Sequence, residues 1–422
     1  MIKRNNRIQN NHFTVTPVKH TERMDKNLDK KTDYYQSNHQ KMIQYFQNGC
    51  KDRANKLQFG LELEHFLIQN KDGKSVPFSG PKGVEKILEG LFLFYPKRYE
   101  SEGHLIGVGN GVITISIEPA AQLEISVVPQ TDFFYLKEIY QQFRAAIDPI
   151  LEQLGCHLAT MGYQPYSTAD SLQLIPKLRY EYMNRYFEKI GPYGKQMMRA
   201  TASTQFSIDY YSEKDFSLKY RLAHELLPIF GALSENTPYY EGKKFKGHGL
   251  RQKIWDKTDP ARVLIEPFMK NETIDFESYT EFVMQAPVIV QEYQERDTYC
   301  EDTIRKQCEK FEFSTDEIAH LLSMVFPMIR LKQYLEIRIA DSMPIDAVCC
   351  YGILLKGLFS DPQDSLNVLN EVKESGAFKR EGILSLLTII CKHISIEEAS
   401  YIETFQKEMQ HGTIIKSDPE TL

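Results

Sequence analysis

Four stretches of this chain alternate strictly between apolar and polar residues, and their polar residues are types that hold cations and phosphates. In a strand, successive side chains point to opposite faces. Leu57, Phe59, Leu61 and Leu63 then share one face, and Gln58, Gly60, Glu62 and Glu64 the other. Leu123, Ile125 and Val127 oppose Gln122, Glu124 and Ser126. Met198, Ala200, Ala202, Thr204, Phe206 and Ile208 oppose Arg199, Thr201, Ser203, Gln205, Ser207 and Asp209. Leu335, Ile337 and Ile339 oppose Tyr334, Glu336 and Arg338. An ordinary wet sheet face is the plain alternative. Such a face favours lysine and scattered charge, yet none of these four polar faces carries a lysine.

Glu62 and Glu64 would stand roughly 6–7 Å apart on one face. Like charges there repel unless a cation lies between them. Glu124 and Glu336 add two acids, and Glu118, at the end of a strand Val112–Ile117, is a fifth. Carboxylate clusters suit Mg²⁺, which takes oxygen ligands and keeps substrate phosphates as further ligands. Arginine on the same surface pairs with phosphate or carboxylate through its planar fork. The chemistry this implies is phosphoryl transfer. Neither a Gly-x-x-x-x-Gly-Lys-[Ser/Thr] loop nor a GxGxxG turn occurs, so no P-loop or Rossmann nucleotide site is expected.

The elements that must position these residues follow from spacing. Residues 1–35 are polar and lack apolar periodicity, which predicts a mobile tail. A helix is predicted over Tyr35–Phe46, another over 132–154 with Gly155 as its stop, and a third over 214–233. Asn110-Gly111 between two apolar runs predicts a hairpin with a type I′ turn. The last third, about 300–410, reads as helical with one strand, Tyr334–Ala340, and a loose end after Gln410. The formal net charge is −6 over 422 residues, which argues against broad nucleic-acid binding. No apolar run is long enough to span a membrane, and no h-region follows the basic N-terminus, so a cytoplasmic location is expected. Seven cysteines without a CxxC pair predict free thiols, with neither a zinc site nor a disulfide framework.

Six blocks, in order, are similar to one family. Phe59-Gly60-Leu61-Glu62-Leu63-Glu64-His65-Phe66 resembles the first acidic strand of the plant and bacterial second group of glutamate–cysteine ligases. Ile115 to Ser126, with Glu118-Pro119-Ala120-Ala121-Gln122-Leu123-Glu124, resembles their Glu-Pro-x-x-Gln-x-Glu block. Met198 to Gln205 is similar to their Arg-containing strand, and Asn236-Thr237-Pro238 to their Asn-Ser-Pro turn. Arg251 to Arg262, which includes Trp255 and Thr258-Asp259, resembles an Arg-x-x-x-Trp…Thr-Asp…Arg segment, and Tyr334 to Arg338 a Glu-x-Arg strand.

The resemblance implies an α+β fold. It would be a curved antiparallel sheet, a cup of the glutamine-synthetase catalytic type, with helices packed on its outer face. It implies a catalytic domain over 36–345 and a mostly helical continuation over 346–422. It implies that Glu62, Glu64, Glu118, Glu124 and Glu336 bind two or more Mg²⁺ ions bridging ATP, and that Arg338 stabilises phosphoryl transfer. Arg199, Gln205, Asn236, Arg251, Thr258 and Arg262 match positions near substrate or nucleotide. The implied partners are glutamate, cysteine and ATP, in the first step of glutathione-type thiol synthesis. One departure is that the family commonly has Gly-Gly where this chain has Ala120-Ala121, which leaves the acceptor amine open. Other expectations compatible with these residues are a ligase of a different amine or acid, a small-molecule kinase, and a non-catalytic nucleotide- or metabolite-binding relative.

Overall fold

The structure, a computed structural model, describes residues 34–270, 272–293, 296–374 and 388–410. The expected tail (but for its last two residues) and the loose end after Gln410 lie outside the described residues.

The strands, in chain order, are β1 (Phe59–Gln69), β2 (Lys97–Ser101), β3 (His104–Gly109), β4 (Ile113–Ile117), β5 (Leu123–Gln130), β6 (Cys156–Ala159), β7 (Thr204–Ile208), β8 (Tyr239–Tyr240), β9 (Lys243–Lys244), β10 (Pro287–Tyr293), β11 (Arg296–Thr303), β12 (Ile329–Leu331) and β13 (Leu335–Ile337). One nine-stranded sheet runs β12-β13-β7-β1-β5-β4-β3-β2. Its pairings are antiparallel, and β6 continues the β7 side of β1. With helices about it, the chain is a mixed helix and antiparallel-sheet protein.

Register decides which side chains meet. Glu64 lies opposite Glu124, and Glu62 lies between Gln205 and Ser126. Glu336 lies opposite Arg330 on one side and Ser207 on the other. Directly opposed residues share a face, so the acids of β1, β5 and β13 stand on the same side as Gln205. The other face is core. Leu61, Leu63, Leu123, Ile125, Phe206, Leu335 and Ile337 are all buried there. Each such side chain contributes about 1.5–3 kcal/mol on leaving water.

Helix Phe133–Leu154 packs beneath this face. Apolar residues three and four apart give it one buried stripe, from Phe133 through Leu136, Tyr140, Phe143 and Ile147 to Leu151. The Phe133 ring centre is 5.5 Å from that of Phe59 and 6.0 Å from that of Phe206. The Asp132 side chain accepts the N–H groups of Phe134 and Tyr135 and starts the helix, and Gly155, at φ 73°, ends it. Helices Tyr35–Gln47 and Glu213–Leu233 form as their spacing predicts. Among the described residues, no helix is long and apolar enough to cross a membrane.

Four local expectations change. The alternating stretch 198–209 is a strand only over β7, and Gly194–Ala200 is a helix. Lys195, Gln196, Met197, Met198, Arg199 and Ala200 are all strong helix formers, and that preference overrides the alternation. The 110–111 hairpin forms between β3 and β4, but only Gly111 has positive φ. The Asn110 side chain instead accepts the N–H groups of Val112 and Ile113, a three-residue Asx turn rather than type I′. In the last third, the predicted strand Tyr334–Ala340 shortens to β13, and β12 precedes it. The β10–β11 hairpin enters that region as well.

Replacing the Asp132 cap by alanine is expected to cost about 1 kcal/mol. Urea denaturation of Asp132→Ala beside the parent chain measures it.

Candidate active site

A cavity of about 280 Å³ opens over the polar face. Its floor is Glu62 and Glu64 of β1, Glu124 of β5 and Gln205 of β7. Glu118 and Gln122 enter from the β4–β5 turn, and Arg330 and Arg338 from the β12–β13 end. The opposite wall carries Lys177, and then Arg179, Tyr180 and Met183 of helix Leu178–Phe187. Met197, Met198, Trp255 and Phe326 complete an apolar flank.

The turn that delivers Glu118 is tight. The Glu118 N–H donates to the Gln122 carbonyl at 2.8 Å, and the Ala121 N–H to the Glu118 carbonyl at 2.9 Å. The Gln122 side chain accepts the Ala120 N–H at 2.9 Å and donates to the Thr201 carbonyl at 3.1 Å. Ala121 has φ 65°, the left-handed region that favours glycine. The position of Ala121 is therefore one whose backbone asks for glycine. Here the methyl group is accommodated in buried surroundings at a conformational cost.

The acids divide into two groups. Glu64 is gripped by neutral donors: the Ser203 N–H at 2.8 Å, the Ser203 hydroxyl at 2.9 Å and the Gln205 amide at 3.0 Å. The Ser342 hydroxyl donates to the backbone carbonyl of Glu64 at 2.5 Å. Glu124 accepts from Ser126 at 3.0 Å and from Ser116 at 3.3 Å. Glu336, by contrast, is sealed from water and faces cations. Arg330 Nε donates to it at 2.6 Å and an Arg338 NH group at 2.8 Å, and Lys332 Nζ lies 3.4 Å from its other oxygen. Arg338 also donates to the Gln205 side-chain oxygen.

The electrostatics follow this division. Burial, and then the charge of Glu64, pushes the Glu118 carboxyl up to about 7. Burial and Glu336 raise Glu62, and burial with Glu62, Glu118 and Glu64 raises Glu124 well above the carboxylate range. Burial also opposes charge on Glu336, but Arg330, Lys332 and Arg338 together hold it well below that range. One half of the face thus has negative charge in excess, and the other is neutralised. The excess half offers carboxylate oxygens, the ligand type of a hard divalent cation. A divalent ion there would relieve the repulsion that raises these carboxyls.

Of the residues expected from the sequence, Glu62, Glu64, Glu118, Glu124, Gln205 and Arg338 line the cavity. Glu336 sits behind two arginines that do. Arg251 lies beneath, donating to the Arg338 and Ile339 carbonyls at 3.0 Å each. The others do not reach the cavity. Arg199 leaves the sheet with its helix and donates to the Leu172 carbonyl and the Asn184 side chain. Asn236 holds the Thr160 and Ser342 carbonyls, and Thr258 donates to the Ile254 carbonyl. Arg262 is buried on Asp259 and the Met324 and Pro287 carbonyls. Lys177, Arg179, Arg330, Lys332 and Ser342 are additions. Arg330 could have been found, because Ile329-Arg330-Leu331 alternates next to the Glu336 strand. Lys177 and Arg179 follow Pro176 without any periodic signal. Trp255 borders the cavity, and its ring centre is 5.7 Å from the Arg338 guanidinium.

The site is thus an antiparallel sheet face with clustered acids, closed by guanidinium and ammonium groups. The chain belongs to glutamate–cysteine ligase family 2 (GCS2), whose sequence profile it matches over residues 58–372. A chloroplastic glutamate–cysteine ligase of Brassica juncea is 30% identical over 358 residues, covering 81% of this chain and 67% of that protein. The chloroplastic enzyme of Medicago truncatula is 28% identical over 364 residues, covering 83% and 70%. That of Arabidopsis thaliana is 29% identical over 342 residues, covering 78% and 64%, so the matches span about two thirds of these relatives' own length. A crystal structure of a glutamate–cysteine ligase from Francisella tularensis in complex with AMP is similar at a TM-score of 0.46 and 12% identity, over 83% of this chain and 81% of that one.

Two outcomes follow from the turn and the acids. Ala121→Gly is expected to stabilise the protein by about 1 kcal/mol by removing left-handed strain, net of the freer unfolded chain. Denaturant titration checks it. The second concerns pH. The Glu118 carboxyl rises from 4.5 to about 7 on folding, so its contribution is fully present below pH 4.5 and is lost as pH rises through 7. In EDTA, the parent chain should lose roughly 2–3 kcal/mol more than Glu118→Gln between pH 4.5 and 7.5. Urea curves at the two pH values compare them.

Proposed function

We propose that this chain joins the γ-carboxylate of glutamate to the amine of cysteine, using ATP and magnesium, on a sheet of the glutamine-synthetase catalytic type. Residues 36–345 would form the catalytic part and 346–422 a helical continuation. The observation that carries the reading is the convergence of Glu62, Glu64, Glu118, Glu124 and Arg338 on one cavity, in a chain of this ligase family.

A carboxylate is a poor electrophile and must be activated before an amine can displace anything from it. Its γ-oxygen attacks the terminal phosphorus of ATP, ADP departs, and an acyl phosphate remains. The amine then attacks the acyl carbon, and inorganic phosphate leaves with the C–O bonding pair. Glu62, Glu64, Glu118 and Glu124 would hold magnesium, which would supply charge neutralisation on the phosphate oxygens, while Glu336, expected among the ligands, is met by Arg330, Lys332 and Arg338 and would hold those cations instead. Ser203 and Gln205 keep Glu64 oriented through three hydrogen bonds. Arg338, fixed between Glu336 and Gln205, would meet the charge that develops on the transferring phosphoryl group. The apolar flank of Met197, Met198 and Phe326 limits water near an intermediate that hydrolyses readily.

The test is ADP release with glutamate, cysteine, ATP and Mg²⁺, together with mass detection of the dipeptide. Arg338→Ala and Glu124→Gln are expected to lower kcat about 10²–10³-fold with folding intact, and EDTA to abolish turnover. Near-parental kcat in both variants would remove the assignment.

A further inference from the structure

Lys177 and Arg179 are two cations on the cavity wall. Among the described residues, neither has a carboxylate oxygen at ion-pair distance, unlike Arg330 and Arg338. Arg179 donates to the Ser323 hydroxyl at 3.1 Å and to His320 Nδ1 at 3.4 Å, and a Glu292 oxygen lies 3.1 Å from that same nitrogen. The ammonium of Lys177 lies 5.0 Å from the centre of the Tyr180 ring. Burial draws both cations below their ordinary ranges. Cations on a partly dry wall, with Glu118 and Asp297 near but no carboxylate at ion-pair distance among the described residues, offer an anion a place to bind.

The surroundings choose the kind of anion. Arg179 and Met183 stand four residues apart on helix Leu178–Phe187, so both face the cavity about 6 Å apart. Met197 and Met198 extend this apolar wall. A polyphosphate laid here would leave charged oxygens against thioethers and rings. A small amino acid fits better: a carboxylate at one end, a short apolar or thiol side chain for methionine to cover, and an amine between. Glu118 lines the sheet side of the same cavity as Lys177, which gives that amine an acidic neighbour there.

We propose that Lys177 and Arg179 hold the α-carboxylate of the amine-donating amino acid, with Met183 beside its side chain. This rests on the ligase reading above. It sets the acceptor's orientation: carboxylate toward the helix, side chain along the methionines, nitrogen toward the acidic turn. The same chemistry could come from the α-carboxylate of glutamate, so the experiment separates the two sources.

Initial rates of ADP release are measured for the full chain and for Arg179→Gln, Lys177→Gln and Arg179→Lys. Cysteine is compared with cysteamine, which lacks the carboxylate, and glutamate with 4-aminobutyrate, which lacks only the α-carboxylate. The parent chain should strongly prefer cysteine over cysteamine. In Arg179→Gln that preference should shrink by about tenfold or more through KM for cysteine. KM for ATP and for glutamate should change less than twofold, and Arg179→Lys should recover part of the loss. Should Arg179→Gln unfold, judged by thermal denaturation, Lys177→Gln carries the same comparison. An unchanged preference for cysteine overturns the proposal. So does collapse of the preference for glutamate over 4-aminobutyrate, which would assign the pair to the other substrate, or a rise confined to KM for ATP. If the parent chain releases ADP yet joins glutamate to no amine, judged by mass detection of the product, the ligase reading itself has failed and takes this inference with it.

Discussion

Carboxylates that share a water-poor cavity repel one another, and protein alone can settle that repulsion only by supplying opposite charge or by leaving the acids protonated. This chain does the first at one end of the sheet and not at the other. Around Glu336 stand Arg330, Lys332 and Arg338. Among the described residues, the side chains that donate to the carboxylates of Glu64 and Glu124 are serines and an amide. The acidic half is therefore destabilised as it stands, and any cation that binds there gains what the fold has withheld.

The rest of the molecule can be understood as what is needed to hold that imbalance in place. A long central strand, β1, presents two acids and has neighbours along both edges. Its reverse face is clamped by aromatic packing from helix Phe133–Leu154. Such packing resists the splaying by which like charges could otherwise escape into water. The β4–β5 turn accepts a left-handed alanine to bring Glu118 over the same face. Strain of this kind persists where neighbouring contacts over-determine the backbone, and the Gln122 side chain, tied to Ala120 and Thr201, does so here.

Much of this was legible from alternation because β1 and β5 each bury one face and wet the other. Glu62, Glu64 and Glu124 land where period two puts them. Arg199 does not, because its neighbours favour a helix more strongly than their apolar alternation favours a strand. Arg262, Thr258 and Asn236 match the family by position, yet their polar groups satisfy backbone carbonyls and Asp259 inside the protein. Sequence similarity marks such residues without saying whether they face a ligand or the fold. Lys177 and Arg179 were illegible for the opposite reason. They come from the start of a helix across the cavity, and their relation to the acids exists only in three dimensions.

Gln205 has a consequence of its own. Its amide nitrogen serves Glu64 while its oxygen serves Arg338, so only one of its two flipped orientations satisfies both neighbours. A neutral group therefore joins the negative and the positive ends of the face and keeps them at a set spacing without discharging either. Across these three side chains the electrical potential changes sign. A bound molecule would be sorted by its own polarity before its outline mattered, and one inserted end for end would meet the wrong sign at both extremities.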